Sequence, residues 1–244
     1  DVAQAHALPI VEDSAHALPA AWNGQSVGTL GDLGCFSFYA TKTITTGEGG
    51  MAVTADRRLA DRMRLMSLHG LSRDAWNRYS SGGSWDYQIV EPGLKYNLTH
   101  ICAAIGIGQL KRSEAMRESR ERLAMHYSMQ LRQIAEIEPP SWPDNRLHAW
   151  HLYPVRLHLD RLTIGRNAFI GQLKKAEIGC SVHWRPLHLH PYYRQNFGRM
   201  PQEFPVASCE WERLISLPLF PSMTTDEQDF VVDTVAEICA ANKA

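Results

Sequence analysis

The stretch CFSFYATKTITTGEGGMAVT, residues 35–54, predicts two strands joined by a glycine-rich loop. Its first five residues are rich in aromatic side chains, which favour strands, and its mostly apolar end follows the turn-forming run Gly47–Gly50. Leucine and methionine residues then recur at helical spacing from residue 56 to residue 68. This succession of strands and helices is typical of an α/β fold.

The same alternation extends to both ends of the chain. Apolar residues 8–12 predict a short buried strand that ends in acidic residues. Residues 99–134 predict the longest helix, whose apolar first part we expect to be buried and whose charged second part we expect to be solvated. Further predicted elements are a strand at 151–159, a helix at 166–176, a strand at 178–183 and a final helix from Thr224.

A break in this pattern predicts two domains. Closely spaced prolines interrupt the chain after the longest helix, so we place the boundary between residues 110 and 140. The predicted domains are residues 1–125 and residues 126–244. Residues 70–93 carry no clear period, and a connection of that length inside a domain is typical of a functional or mobile segment.

Composition excludes several functional classes. The 244 residues carry a formal net charge of −1, so the chain has no positive field with which to hold nucleic acid or an anionic membrane. No run approaches the roughly 18 uncharged apolar residues of a membrane-spanning helix, which predicts a soluble, cytoplasmic chain. The five cysteines are scattered without a CxxC pair, as in reduced intracellular proteins. The chain opens on Asp1 and enters a strand pattern almost at once, so we expect a further segment ahead of it.

Side chains suited to chemistry are densest between residues 12 and 50. Asp13 follows a predicted strand, where open α/β sheets bind ligands, and His16 lies three residues further on. Ser37 and Lys42 lie five residues apart, at and after the aromatic strand. A partly buried lysine loses its proton more easily and attacks carbonyl groups. The spacing of Lys42 by itself favours an ordinary surface lysine over a buried nucleophile, because most lysines lie on the surface.

Other motifs carry weaker signals. The Gly47–Gly50 run lacks the phosphate-loop pattern and precedes a strand, which favours a tight turn over a nucleotide site. The histidine cluster at 183–190 contains no acid and matches no standard ligand spacing, so we predict hydrogen-bonding histidines and no metal site. Arg185 suits either an anionic ligand or a solvated surface, and Asn97 suits the start of a helix.

An ordered set of segments is shared with a known family. The segments are residues 11–17 (VEDSAHA), 31–42, 47–50 (GEGG), 69–70, 95–99 (KYNLT), 103–105, 109–110 and 216–221 (SLPLFP). Together they resemble the DegT/DnrJ/EryC1/StrS sugar aminotransferases, which are pyridoxal-phosphate enzymes of fold type I. The resemblance runs over essentially the whole chain, which makes the ordered set more specific than any single motif.

The resemblance implies an α/β, fold type I enzyme. Residues 1–125 would be the latter part of a large cofactor domain, and residues 126–244 a smaller C-terminal domain. The implied activity is transfer of an amino group from glutamate to a keto sugar linked to a nucleotide, UDP above all. The implied assembly is a homodimer with shared active sites, acting in the biosynthesis of polysaccharides such as lipopolysaccharide.

The resemblance also assigns roles to single residues. Lys42 matches the lysine that binds pyridoxal phosphate covalently and moves the proton. Asp13 matches the acid that pairs with the pyridine nitrogen, His16 the side chain at the phenolic oxygen, and Ser37 a hydroxyl donor to the phosphate. Asn97 matches an amide that reaches the phosphate of the neighbouring subunit's cofactor. The loop at 183–192 matches the segment that contacts the nucleotide sugar, with Arg185, His188 and Tyr192 as its candidate residues.

Departures from the family pattern leave alternatives open. Thr43, Pro19 and His100 stand where other residues are common, and none of them removes a group that the chemistry needs. The family's phosphate-holding turn and ring-stacking aromatic precede the first strand and are not among these 244 residues. The alternatives are a non-catalytic or incomplete member that acts as a dimerising or regulatory domain, and another pyridoxal-phosphate reaction on a nucleotide sugar. A dehydratase branch has His in place of Lys42 and is disfavoured.

Overall fold

The structure is a computed structural model that describes residues 2–71 and 88–244. Most of the connection predicted at 70–93 therefore lies outside the described residues. In chain order, the helices and strands are α1 (Val2–Ala5), β1 (Val11–Asp13), β2 (Ala21–Trp22), β3 (Gln25–Ser26), β4 (Leu33–Ser37), β5 (Gly50–Val53), α2 (Arg57–Ser67), α3 (His100–Leu110), α4 (Ser113–Leu131), β6 (Ile137–Glu138), β7 (Arg146–Leu147), β8 (Tyr153–Leu157), α5 (Arg166–Lys175), α6 (Pro191–Phe197), α7 (Pro205–Arg213), β9 (Leu214–Leu217) and α8 (Thr225–Ala241).

The chain divides into two compact units. The first comprises Asp1–Ala115 with the returning segment Asp144–Ala149, and the second comprises Met116–Pro143 with Trp150–Ala244. Each unit combines helices with strands, which confirms the predicted α/β class. The placement of a cofactor domain at residues 1–125 stays a prediction, because the compactness of a unit does not say what it binds.

The first unit contains two small sheets. In one, β1 and β4 are parallel, and β5 pairs antiparallel with β4. In the other, β2 lies between β3 and β7 in an antiparallel arrangement. Asn23 and Gly24 join β2 to β3 with positive φ angles of 49° and 80°, the backbone geometry of a tight two-residue hairpin turn. This hairpin occupies the crossover between the parallel strands β1 and β4.

A carboxylate on β1 holds the loop that leads into β4. The side chain of Glu12 accepts hydrogen bonds from the backbone N–H groups of Gly28 (2.8 Å), Leu30 (2.6 Å) and Gly31 (2.7 Å). Burial acts to raise the pKa of Glu12, but these three hydrogen bonds favour the charged form and hold the pKa below its ordinary value of 4.5. Glu12 thus fixes β1 against the loop before β4.

The lowered pKa of Glu12 predicts a pH dependence of stability. A carboxyl whose pKa is lower in the folded state stabilises the fold above its unfolded pKa, and that contribution is lost as the pH falls through the folded pKa. We expect Glu12→Gln to lower the free energy of unfolding by about 1 kcal/mol at pH 7. The difference from the unsubstituted protein should shrink below pH 4.5. Urea unfolding at pH 7 and in acid measures both effects, and Glu118→Gln, on an exposed carboxyl, is the control. An equal difference at both pH values would contradict this role.

The second unit has a buried core built around the antiparallel sheet β6–β8–β9. Tyr127 on α4 and Tyr153 on β8 lie with ring centroids 4.9 Å apart, and both side chains are fully buried. Their hydroxyls have partners, since Tyr127 donates to the Pro218 carbonyl at 3.1 Å and the Tyr153 hydroxyl lies 2.7 Å from Ser128 Oγ. α5 and α8 contribute further apolar side chains to this core.

Three predicted elements differ from the structure. The buried strand predicted at 8–12 is wrong in extent and in burial, because β1 spans Val11–Asp13 and Val11 is 60% exposed. The strand predicted at 178–183 is wrong: only Ser181 pairs there, in a single bridge with Ser216 at the free side of β9. The apolar pattern at 178–182 resembles a strand, but pairing needs a continuous partner edge, which local sequence does not reveal. The helix predicted at 99–134 is two helices, because the chain turns at 111–112 between α3 and α4.

The burial predicted for the longest helix is also wrong. No residue of α3 is buried in the chain by itself, and Ile101 and Ile107 are 76% and 60% exposed. α4, by contrast, buries Arg117 and Arg120 along with its apolar residues. The apolar composition of α3 therefore does not serve the core of its own unit, and an exposed apolar helix of this kind marks an interaction surface.

Candidate active site

Two neighbouring parallel strands end at the same edge of the first sheet. β1 ends at Asp13, which is paired with Cys35, and β4 ends two residues further along at Ser37. Because the strands run parallel, the loops that follow them also lie at this edge. In open α/β sheets the carboxyl ends of parallel strands are where ligands bind.

A hydrogen bond joins the loop after β1 to the loop after β4. Thr43 donates its hydroxyl to the backbone carbonyl of Leu18. Lys42 immediately precedes Thr43, and His16 lies two residues before Leu18. The loop that carries His16 and the loop that carries Lys42 are therefore held together beyond the ends of β1 and β4.

An ammonium group, one carboxylate oxygen and one hydroxyl at this edge lack protein partners among residues 2–71 and 88–244. The half-buried side chain of Lys42 makes no hydrogen bond or ion pair through its ammonium group. Asp13 accepts one hydrogen bond at Oδ1, from the Ala15 N–H at 3.2 Å, and none at Oδ2. Ser14 Oγ is buried and has no hydrogen-bond partner. A buried polar group without a partner is costly, so this edge suits a polar ligand.

The glycine run closes the Lys42 loop as a tight turn. Phe38 donates its N–H to the Gly49 carbonyl, and Thr46 donates its N–H to the Phe38 carbonyl, both at 2.9 Å. A Cβ at Gly49 would lie 2.5 Å from Thr46 Oγ1, so no larger residue fits there without rearrangement. The glycine run therefore allows the loop that carries Lys42 to adopt a tight turn that larger residues would not permit.

Asn97 lies on a segment that packs on this turn. A Cβ at Gly49 would also lie 2.9 Å from Leu98 Cδ1, which places the residue after Asn97 against the turn. The side-chain oxygen of Asn97 accepts a hydrogen bond from the Lys95 ammonium group. The N-cap of α3 is Thr99, whose hydroxyl accepts from the Cys102 N–H at 3.2 Å. Asn97 is thus not needed as the cap.

The three predicted substrate residues lie in the second unit. Arg185 is exposed and donates to the Leu189 carbonyl at 3.0 Å. Tyr192 is exposed at the start of α6. His188 is buried: its ring stacks on Phe204 with a centroid distance of 4.7 Å, and its Nε2 lies 2.9 Å from Ser208 Oγ. Contact of these three side chains with a sugar stays a prediction.

His183, in the histidine cluster at 183–190, lies within hydrogen-bond distance of a serine. Its Nδ1 is 2.8 Å from Ser216 Oγ, and burial lowers the pKa of His183.

Within the two described ranges, no three His, Cys, Asp or Glu residues are grouped so that they could hold a metal ion. Across the same ranges, no helix has the length and apolar character needed to cross a membrane.

A comparison with family models identifies the chain. The model of the DegT/DnrJ/EryC1/StrS aminotransferase family matches residues 1–236. The chain belongs to this family. The predicted family is therefore confirmed, and so is the predicted fold type I, because similar solved structures are sugar aminotransferases of that fold.

Curated relatives and a solved structure agree with this membership. A spore coat polysaccharide biosynthesis protein of Bacillus subtilis is 45% identical over 97% of this chain and 61% of its own length. A UDP-4-amino-4-deoxy-L-arabinose–oxoglutarate aminotransferase of Shewanella sediminis is 36% identical over 98% of this chain and 62% of its own length. A structure named as a candidate sugar aminotransferase of Streptococcus pneumoniae, in its pyridoxal phosphate form, has a TM-score of 0.86 and 31% identity, covering 99% of this chain and 60% of that one. The chain thus spans about three-fifths of the length of these proteins.

The residues at the sheet edge fit the cofactor of the DegT family, pyridoxal phosphate. Within residues 2–71 and 88–244, an amine, a carboxylate oxygen and a buried hydroxyl have no partner there, on Lys42, Asp13 and Ser14. These are groups that a protonated, phosphorylated aldehyde ring can engage. Sequence analysis missed Ser14 because a serine gives no sign of burial; its position directly after Asp13 was the available clue.

Proposed function

We propose that this chain carries the catalytic lysine and the pyridine-pairing acid of a pyridoxal-phosphate-dependent sugar aminotransferase. The observation that carries the proposal is the half-buried Lys42, which has no partner among the described residues and lies in a loop held beside the loop of His16. Membership of the DegT family supports it. When bound, the cofactor supplies an electron sink that stabilises negative charge on the carbon from which a proton is removed.

Each residue of the chain has a defined task in this proposal. Lys42 would hold the cofactor covalently through Nζ, by condensation with its aldehyde and loss of water, and the same amine would supply the group that moves the proton. Asp13 Oδ2 would accept a charge-assisted hydrogen bond from the ring nitrogen and would keep it protonated. His16 would contact the phenolic oxygen, and Ser37 would donate to the phosphate. Ser14 Oγ, which is buried and has no partner among the described residues, would be available to donate to the bound cofactor.

The proposed substrates are glutamate and a keto sugar linked to UDP. The support is the Shewanella relative, whose name specifies a UDP-linked amino sugar and oxoglutarate, the keto acid that glutamate becomes. The Bacillus relative, named for polysaccharide biosynthesis, supports a role in making a cell-surface polysaccharide. Arg185 and Tyr192, which are exposed, are proposed to contact the nucleotide sugar, and His188, which is buried, is proposed to act by holding the loop that carries them. The proposed compartment is the cytoplasm, where nucleotide sugars are made.

The proposed assembly is a homodimer. Ile101, Ile105 and Ile107 on α3 are exposed in the single chain, and this helix follows Asn97, which is proposed to reach the partner's cofactor phosphate. Burying these apolar side chains against a second copy would remove them from water. Light scattering of the purified chain measures the dimer directly.

The test of the proposed function is coupled product formation. With pyridoxal phosphate, glutamate and a UDP-4-keto sugar, oxoglutarate should appear in step with aminated sugar, in equal amounts. Oxoglutarate without aminated sugar, or sugar turnover without glutamate, would favour a different pyridoxal-phosphate reaction. No turnover and no covalent link at Lys42 in the folded chain would favour the non-catalytic alternative.

A further inference from the structure

A pocket in the first unit lies next to the predicted cofactor contacts. It has a volume of about 310 Å³ and is lined by His16, Trp22, Arg146 and His148 together with small apolar side chains such as Ala20 and Val27. That volume is at the lower end of the range for small-molecule sites, which is about 300–1,000 Å³. His16 belongs both to this pocket and to the loop after β1, so the pocket adjoins the proposed reaction centre.

Strand pairing places an aromatic ring and a guanidinium group on the same face. Trp22 on β2 and Arg146 on β7 are directly opposite partners in an antiparallel pair. Opposite residues in such a pair project to the same side, with Cα atoms about 4.5–5.5 Å apart. Asn23 and Asn145, the residues next to this pair, are joined by a backbone and a side-chain hydrogen bond, each of 2.9 Å, which holds the register.

The pocket is electropositive and its arginine is available. Arg146 is exposed, and within the part of the chain that the structure describes it forms no ion pair or hydrogen bond through its side chain. None of the residues that line the pocket is acidic. The His148 side chain is exposed to solvent. Even so, desolvation by the surrounding protein and, secondly, the positive charge of Arg146 lower the pKa of His148. At neutral pH, His148 is therefore a neutral hydrogen-bonding group beside a fixed positive charge.

The combination of groups points to one class of ligand. Trp22 is 47% exposed and offers a flat apolar surface beside the small side chains of Ala20 and Ala21. A planar base stacks on such a ring, and a phosphate pairs with an adjacent guanidinium in two parallel hydrogen bonds. A dicarboxylate such as glutamate would use Arg146 but would leave the indole without a partner.

We propose that this pocket is a nucleoside diphosphate subsite, in which Trp22 stacks on the base of the nucleotide-linked sugar and Arg146 binds its phosphates. The inference rests on the proposed function for its choice of ligand. The pocket holds part of the ligand, and the sugar extends from it toward the His16 side.

Titration calorimetry on the full chain, loaded with pyridoxal phosphate, tests the subsite with UDP and oxoglutarate as separate probes. We expect Arg146→Gln and Trp22→Ala each to weaken UDP binding by about tenfold and to leave oxoglutarate binding unchanged. Trp22→Phe, which keeps a ring, should retain most of the affinity. Arg132→Gln removes an exposed arginine elsewhere and should change nothing. Added salt should weaken UDP binding less in Arg146→Gln than in the unsubstituted chain, since one charge pair is missing.

The outcomes separate this inference from the proposed function. The nucleotide subsite is overturned if Arg146→Gln and Trp22→Ala leave the UDP affinity unchanged. It is also overturned if these variants lose affinity for oxoglutarate and keep their affinity for UDP. Absence of UDP binding to the unsubstituted chain also overturns it. Borohydride reduction, followed by mass mapping of the adduct, reports the proposed function separately: UDP binding without a Lys42 adduct would keep the subsite and remove the aminotransferase assignment.

Discussion

Replacement of Lys42 by alanine is expected to abolish the covalent link to pyridoxal phosphate and to reduce transamination by at least about a thousandfold. The reason is that one substitution removes both the nucleophile and the group that moves the proton. Lys42 is suited to both tasks because it is half-buried and has no carboxylate partner among the described residues. Borohydride reduction and peptide mass mapping measure the link, and the glutamate-dependent formation of oxoglutarate measures turnover.

Two further variants make the Lys42 experiment specific. Lys42→Arg keeps the positive charge but cannot form the link, so it should lose the adduct as completely as Lys42→Ala. Lys175→Ala removes an exposed lysine at the end of α5 and should keep both the adduct and the turnover. Appreciable turnover in Lys42→Ala, or an adduct on another lysine, would reject the assignment of Lys42.

Replacement of Asp13 by asparagine is expected to slow turnover by at least about a hundredfold while the adduct at Lys42 still forms. Asparagine has nearly the same shape but no charge, so it no longer holds the ring nitrogen in its protonated form. The free Oδ2 of Asp13 at the end of β1 is the atom available for this contact. The visible absorbance spectrum of the bound cofactor should shift in the variant, which a purely structural role would not produce.

The control for Asp13 is an acid remote from the sheet edge. Asp160→Asn changes an exposed carboxyl in the second unit and should leave the spectrum and the turnover unchanged. Asp13→Asn with normal turnover would show that the ring nitrogen does not depend on this carboxylate. Loss of the adduct together with loss of folded structure, seen by circular dichroism, would instead assign Asp13 to the stability of β1.

Local pattern predicted much of the fold. The final helix was expected from Thr224, and its hydroxyl accepts the Glu227 N–H while Glu227 accepts the Thr224 N–H, which is a complete capping box. The helix expected at 166–176 is α5. Asn23 and Gly24, a pair typical of two-residue turns, form the turn of the β2–β3 hairpin. These features depend on residues close together in sequence, so their side chains and backbone preferences are sufficient to specify them.

Features that depend on distant residues were not predicted. Ser181 pairs with Ser216, and Trp22 pairs with Arg146, across separations that carry no periodic signal. The exposure of α3 was missed for a related reason. An apolar helix has the same pattern whether it packs on its own chain or presents a surface to another, because burial is a property of what surrounds it.

The sequence by itself determined the family, the α/β class, and the residue types available for chemistry: a lysine, an acid, a histidine and hydroxyls along two loops. Only the tertiary structure decided which of these groups have partners. The parallel pairing of β1 with β4 sets the ends of both strands at one edge, and the Thr43–Leu18 hydrogen bond holds their loops together. In the part of the chain that the structure describes, that arrangement leaves Lys42 Nζ and Asp13 Oδ2 without protein partners, because hydrogen bonding and burial depend on three-dimensional neighbours and not on the identity of a residue.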